Sequence, residues 1–347
     1  MTRPPPPVRA RARAPVRVDF AGGWSDVPAF ADAEGGAVTN ATLDLHVHVD
    51  AIQGGQGIRL VAEDLGQRVV ARRPSDLAYD GTLDLHKAAV NMLPVTGGLE
   101  VLTRSDVPAG SGLGASGALD VALVTALGYL RGESYGAVEL AELGFHLEAV
   151  ELRLDGGRQD QYAAALGGLH AMTFSAGGTA TRRIDLDPRA VAELESTLVI
   201  AYTGQSHFSA QTHRRVWSAY TDGRRDTVEA LRAIRDLGTA AAAAIGAANW
   251  PELARVVDEN WREQQRLDAT ISTPGVRIVE AAIRNAGAWG LKAAGAGAGG
   301  CLLALAPPAK RAEVVQAATA AGALVLEARF DFTGVTVWDE DAPDTGG

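Results

Sequence analysis

The segment Pro108-Ala109-Gly110-Ser111-Gly112-Leu113-Gly114-Ala115-Ser116-Gly117 constrains this chain more than any other. Four glycines and two serines separate a strand-like run, Leu99 to Thr103, from a run in which Leu119, Leu123, Leu127 and Leu130 recur near helical spacing. A glycine-rich turn from strand into helix directs backbone N–H groups and the positive end of the helix dipole at one point, where an anion is favoured. No lysine closes the loop, so it is not the P-loop form ending in Gly-Lys-Ser/Thr. A nucleotide phosphate is still the expected guest.

Gly112-Leu113-Gly114-Ala115-Ser116-Gly117 also satisfies the dinucleotide pattern G-x-G-x-x-G, and so does Gly295-Ala296-Gly297-Ala298-Gly299-Gly300. Two matches in a chain with 40 glycines carry little weight by themselves. The pattern needs a second strand with an acidic residue about 20 residues on. Here the first helix runs into a second helical pattern, Ala137 to Leu154, and Glu139 falls inside it. An NAD-dependent oxidoreductase is therefore the weaker reading.

At 347 residues the chain can bury a large core in two lobes. Its net charge of −10 argues against nucleic acid or a membrane surface as partner. The single cysteine, Cys301, excludes an intrachain disulfide and fits a cytoplasmic setting. Its sequel Leu302-Leu303 makes it the buried start of a strand rather than a nucleophile. The N-terminal Pro4-Pro5-Pro6-Pro7 has no apolar region of a secretory signal. The longest uncharged stretch, Ala293 to Ala309, is too rich in Gly and Pro for a membrane span.

The order of elements reads as α+β in two halves: a Pro/Arg-rich arm at 1–11, a first lobe at 12–180 and a second at 181–347. Residues 12–21 alternate as a strand, and 43–71 read as hairpins. Helices are expected at 82–94, 116–131 and 137–153, and a strand from Gly168 to Phe174. In the second half, strands at 197–202, 290–294, 301–306 and 323–328 alternate with helices at 208–222, 225–248, 251–268, 275–287 and 308–320.

Four segments hold the chemistry. In the first, a strand delivers Arg17, a planar fork for phosphate or carboxylate. The turn after it, Gly22-Gly23-Trp24-Ser25-Asp26, exposes Ser25 and Asp26, and a carboxylate there suits vicinal sugar hydroxyls. The second segment is the glycine loop, whose Ser116 either caps the helix or ligates Mg²⁺ beside a phosphate. In the third, Gly156-Gly157-Arg158-Gln159-Asp160-Gln161-Tyr162, Asp160 either caps a helix or orients a hydroxyl and takes its proton. The fourth, Lys292 to Cys301, packs small residues between two strands and allows close approach to a ligand or another loop.

Taken together, these segments resemble the three motifs of the GHMP kinases, the superfamily of galactokinase, homoserine kinase, mevalonate kinase and phosphomevalonate kinase. The likeness runs from about Arg11 to Trp338. Phe20 to Pro28, Gly35-Gly36-Ala37-Val38 and Gly157 to Tyr162 look most like the bacterial D-glycero-D-manno-heptose 7-phosphate kinases, with fucokinase domains second. The resemblance implies a two-lobed fold with the ATP and substrate cleft between the lobes. It implies ATP- and Mg²⁺-dependent phosphorylation of the anomeric hydroxyl of a heptose 7-phosphate or related sugar, giving a sugar 1-phosphate. Asp160 falls at the catalytic Asp and Arg17 at the basic residue that assists it. Pro108, Gly110, Ser111, Gly112, Leu113, Gly114, Ala115 and Ser116 fall at the ATP loop. Gly22, Gly23, Trp24, Ser25, Asp26, Arg158, Gln159 and Gly297 fall at substrate positions. Departures are Ala115-Ser116 where many members have two serines, Gly117 in place of Ser or Ala, which would loosen the helix start, and Ala298 where Gly is commoner.

Ser116 and a glutamate are the implied metal ligands. Family spacing favours Glu148. Helical periodicity, with Leu140, Leu143, Leu147 and Val150 as the buried face, favours Glu151; Glu148 is preferred. A second phosphate on the sugar would need a cation such as His86, Lys87, Arg158 or Lys292. His46 and His48 alternate on one strand face with no third ligand nearby, so they read as surface residues. A non-catalytic sugar-binding member, or a kinase of isoprenoid or amino-acid alcohols, is disfavoured by the intact Asp160 and Ser116 and by the Gly-Gly-Trp-Ser-Asp turn.

Overall fold

The computed structural model describes residues 8–204 and 210–339. The first half comprises β1 (Arg9–Ala21), α1 (Pro28–Glu34), β2 (Gly36–Gln53), β3 (Ile58–Ala62), β4 (Gln67–Ala71), α2 (Asp84–Met92), β5 (Leu99–Ser105), α3 (Ala115–Leu130), α4 (Ala137–His146), α5 (Gln159–Leu166), β6 (Leu169–Ser175) and β7 (Gly178–Arg183). The second comprises α6 (Pro188–Thr197), β8 (Leu198–Tyr202), α7 (Ala210–Thr221), α8 (Arg225–Gly246), α9 (Trp250–Leu267), α10 (Pro274–Asn285), β9 (Gly290–Ala293), β10 (Cys301–Leu305), α11 (Arg311–Ala320), β11 (Leu324–Leu326) and β12 (Thr336–Trp338).

The larger sheet runs β12-β1-β2-β5-β3-β4, with β6 and β7 continuing from β2. The long strand β2 makes this branching possible: Gly36 to Ala41 pairs with β6, and Val47 to Gln53 pairs with β5. The smaller sheet, β11-β8-β10-β9, is antiparallel throughout. Cys301 is buried at the start of β10, as its apolar sequel predicts.

From Ala14 onward every residue of β1 is buried. Helices α3 and α5 pack on it from its own half, and α8 and α9 from the other. The strand therefore places Arg17 and Asp19 in the interior, where the two halves meet. Helix α3 has almost no polar face, so it runs through the centre of the first half instead of along its surface.

Three expectations change. The arm is shorter: Arg9 to Arg13 already pair with β2, and the Arg9 guanidinium forks onto Asp50; residues 1–7 lie outside the described residues. Residues 43–71 are the end of one long strand followed by a single hairpin. The boundary at 180/181 falls inside β7, and β12 crosses back from the second half to pair with β1. Among the described residues, no helix is long and apolar enough to cross a membrane.

Candidate active site

A cavity of about 330 Å³ opens where β1, the glycine loop, α5 and the Gly295–Gly300 loop converge. Arg17 organises it. Its Nε and Nη2 lie 2.8 and 2.7 Å from Asp160 Oδ1, and its Nη1 donates to the carbonyls of Gly112 (2.7 Å) and Ala294 (3.2 Å). Its backbone N–H donates to the Leu113 carbonyl at 2.8 Å. One side chain thus joins a strand, two glycine loops and the carboxylate of α5. Asp160 does not cap α5; it is the second residue of that helix and faces the cavity.

Gly117 decides how close α3 comes to α5. A Cβ on Gly117 would lie 2.6 Å from the Asp160 Cβ and 3.1 Å from the Gln161 nitrogen. The glycine therefore permits close contact between the helices at Asp160, and the expectation of a loosened helix start gives way to one of tight packing.

Ser116 does not cap α3, which starts at Ala115 without a side-chain cap. Its Oγ donates to Glu148 Oε1 at 3.1 Å, and both residues line the cavity. Glu151 does not: it accepts a hydrogen bond from the Tyr79 hydroxyl. The helical wheel misplaces these two because α4 ends at His146 and Leu147–Glu151 is a π-helical turn. Such turns recur at functional sites, and they interrupt the α period that the wheel extrapolates. Burial, and then the Asp160 charge, raises the Glu148 carboxyl above its ordinary range.

At the other end, Asp26 is buried and accepts from the Gln159 N–H at 3.1 Å. Burial and the neighbouring Asp160 raise its carboxyl to about 6. Trp24, whose backbone sits at φ 83°, stacks its ring on His213 of α7 with centroids 4.4 Å apart.

The cavity is lined by Arg17, Gly23, Trp24, Asp26, Gly110, Ser111, Gly112, Gly114, Ala115, Ser116, Glu148, Gln159, Asp160 and Gly297, all read from the sequence. Five other expected contacts lie off it. Leu113 is a fully buried core side chain, and Pro108 accepts from Ser111 N–H in the turn before the loop. Ser25 is spent on the turn, its hydroxyl donating to the Gly22 and Ala37 carbonyls. Gly22 donates its N–H to Asn260. Arg158 lies over the Phe145 ring, its guanidinium carbon 4.9 Å from the centroid.

The expected cations for a second phosphate are also occupied elsewhere. Lys292 is buried in an ion pair with Asp19 at 2.7 Å, Lys87 binds Asp80 and Asp84, and His86 is buried against Thr103. His46 and His48 pair with Asp331 and Asp106.

Sequence reasoning missed Asp19, Asp155 and His213, which line the cavity. Asp19 had a signal: it stands two residues beyond Arg17 on one strand, hence on the same face. His213 had none, since the sequence marks 208–222 only as a helix.

Comparison with known proteins matches residues 80–168 to the GHMP kinases N terminal domain and residues 240–324 to the GHMP kinases C terminal domain. Over 94% of its length the chain is 30% identical to a D-glycero-alpha-D-manno-heptose 7-phosphate kinase of Campylobacter jejuni, 98% of which is covered. The chain belongs to the GHMP kinases. This kinase also superposes on a crystal structure of a D-glycero-D-manno-heptose 1-phosphate kinase from Bacteroides thetaiotaomicron with a TM-score of 0.78 and 27% identity, covering 95% of this chain and 99% of that one. It is 29% identical over 88% of its length to a bifunctional fucokinase/GDP-fucose pyrophosphorylase of Arabidopsis thaliana, of which it covers 31%. The two-lobed α+β fold of the GHMP kinases is the fold seen here, and the enzyme is a phosphotransferase with ATP as donor.

Proposed function

We propose that this kinase transfers the γ-phosphoryl group of ATP to the anomeric hydroxyl of a heptose 7-phosphate, giving a sugar 1-phosphate, in the cytoplasm. The observation that carries the chemistry is the Arg17–Asp160 pair. It sets a carboxylate against the N-terminal end of α3 and the glycine loop, in the same cavity as Asp26. The heptose is supported by the relative from Campylobacter jejuni and the structure from Bacteroides thetaiotaomicron.

Phosphoryl transfer asks a protein for in-line positioning and charge neutralisation more than for covalent chemistry. Backbone N–H groups of the Gly110–Ser116 loop would cradle the phosphates, apart from those of Ser111 and Leu113, which are bonded within the loop. Arg17 places both of its contacts with Asp160 on Oδ1. Oδ2 is then the atom to accept the proton of the sugar hydroxyl. Asp26 and the Gln159 side chain would hold the ring hydroxyls.

The donor set suits magnesium. Glu148 and Ser116 present hard oxygens to the cavity, and magnesium typically takes one or two carboxylates, with water and substrate phosphates completing its shell. Bound there, it would neutralise charge developing on the transferred phosphoryl group.

The test is turnover with ATP and Mg²⁺ on D-glycero-D-manno-heptose 7-phosphate, the unphosphorylated heptose, L-fucose and mevalonate. Selective turnover of the heptose 7-phosphate, with product phosphate at the anomeric carbon by NMR, is expected. Preference for L-fucose or mevalonate would overturn the acceptor assignment.

A further inference from the structure

Gln161 follows Asp160 directly and has no part in the site as described so far. Its side chain is completely buried, so bulk water does not reach its amide. Nε2 donates to Glu148 Oε2 at 2.8 Å and to Asp120 Oδ2 at 3.4 Å. Asp120, on α3, is completely buried too, and burial raises its carboxyl well above the ordinary range. The two N–H groups of one amide thus reach two carboxyl groups carried by different elements.

The oxygens of Glu148 are divided. Oε1 accepts from Ser116 on the cavity side, and Oε2 accepts from Gln161 behind it. A glutamate side chain has three rotatable bonds, and a single hydrogen bond would leave its carboxylate free to turn. Two donors on separate oxygens fix its plane. Gln161 cannot easily give way. A Cβ on Gly144 of α4 would approach its Cγ to 3.2 Å, and its backbone nitrogen lies against Gly117 of α3.

On α5, then, one residue faces the cavity and the next supports the carboxylate opposite. We propose that Gln161 is a positioning residue for the metal-binding carboxylate: anchored on Asp120, it holds Glu148 from behind and ties its orientation to the placement of Asp160. This inference rests on the reading of Glu148 as a magnesium ligand. Partners of this kind behind a metal ligand typically contribute about 10–100-fold to metal affinity or activity.

The test uses Mn²⁺ as probe, its free fraction followed by electron paramagnetic resonance in the presence of ADP. Wild type, Glu148→Gln and Gln161→Met are compared, with metal-free ADP affinity measured by calorimetry. Gln161→Met is expected to weaken Mn²⁺ binding about 10–100-fold with metal-free ADP affinity unchanged. The Mg²⁺ concentration for half-maximal rate should rise by the same factor, and kcat should recover at saturating Mg²⁺. If the single variant does not fold because Asp120 is left without a donor, Asp120→Leu with Gln161→Met removes both polar groups and should show the same loss. Unchanged Mn²⁺ affinity in a folded variant, or an equal loss of ADP affinity, would overturn the inference. If Glu148→Gln also binds Mn²⁺ as wild type does, the metal reading of Glu148 fails and the inference with it. A loss in Glu148→Gln alone would leave that reading standing and remove only Gln161.

Discussion

Arg17 Nε lies 2.8 Å from Asp160 Oδ1, across 143 residues of sequence. The same guanidinium holds Gly112 and Ala294 through Nη1, so the carboxylate and both glycine loops share one cation. A lysine offers one compact ammonium and cannot reproduce this fork.

Replacing Asp160 by Asn keeps the size of the side chain and removes its basicity. A positioned acid–base group typically contributes 10²–10⁴-fold in rate, so kcat should fall by roughly that range with ATP affinity retained. Steady-state kinetics and calorimetric ATP binding on the same variant check this. Near-wild-type turnover with phosphoryl transfer as the slow step would exclude Asp160 from the proton transfer.

Ser116→Ala and Glu148→Gln should each raise the Mg²⁺ concentration needed for half-maximal rate, with less effect on the KM for sugar. Glu151→Gln should not, because Glu151 is engaged by Tyr79. Magnesium titrations of the three variants settle the assignment, and the reverse pattern would restore Glu151.

Asp26 gives a pH signature. Its folded value of about 6 lies above the unfolded 3.8, so the folded state holds a proton that the unfolded state releases. The stability from this group is fully present below about pH 4 and is lost as pH rises through 6. The shift corresponds to about 3 kcal/mol at most. Asp26→Asn should therefore gain stability relative to wild type between pH 4 and 7, seen as a pH-dependent difference in Tm. If ionised Asp26 binds the sugar, wild-type kcat/KM for the sugar should fall as pH drops below about 6. A flat Tm difference would contradict the burial argument.

Gly117→Ala would insert a methyl group 2.6 Å from the Asp160 Cβ. The helices must separate or Asp160 must shift, and a displacement of about 1 Å at a reacting group can cost about 10²-fold. A marked fall in kcat with only a modest fall in Tm is expected. An unaltered kcat would show that the α3–α5 contact tolerates the change.

Much of the site was legible because it is local. The glycine loop, the turn carrying Asp26 and the segment carrying Asp160 each hold their chemistry within about ten consecutive residues. What escaped depends on distant partners or a change of period. The helical wheel pointed to Glu151 instead of Glu148, because the π turn begins one residue before Glu148. Ser25 and Asp26 are equally polar neighbours, and only the fold shows that the Ser25 hydroxyl is spent on backbone carbonyls. Lys292 was one of four candidate cations for a second phosphate, and its partner Asp19 lies 273 residues away. The edge strand β12 is three residues long and carries no alternation of its own.

That short strand has a consequence for synthesis. Arg11 to Arg13 pair with Thr336 to Trp338, so the sheet begun by the earliest described residues waits for nearly the last. During translation that edge of β1 lacks its partner until β12 has been made, and open strand edges invite pairing with other chains. A nascent chain of this kind has an interval of vulnerability set by the sequence separation of β1 and β12, and a ribosome stalled between them would leave that edge without its partner.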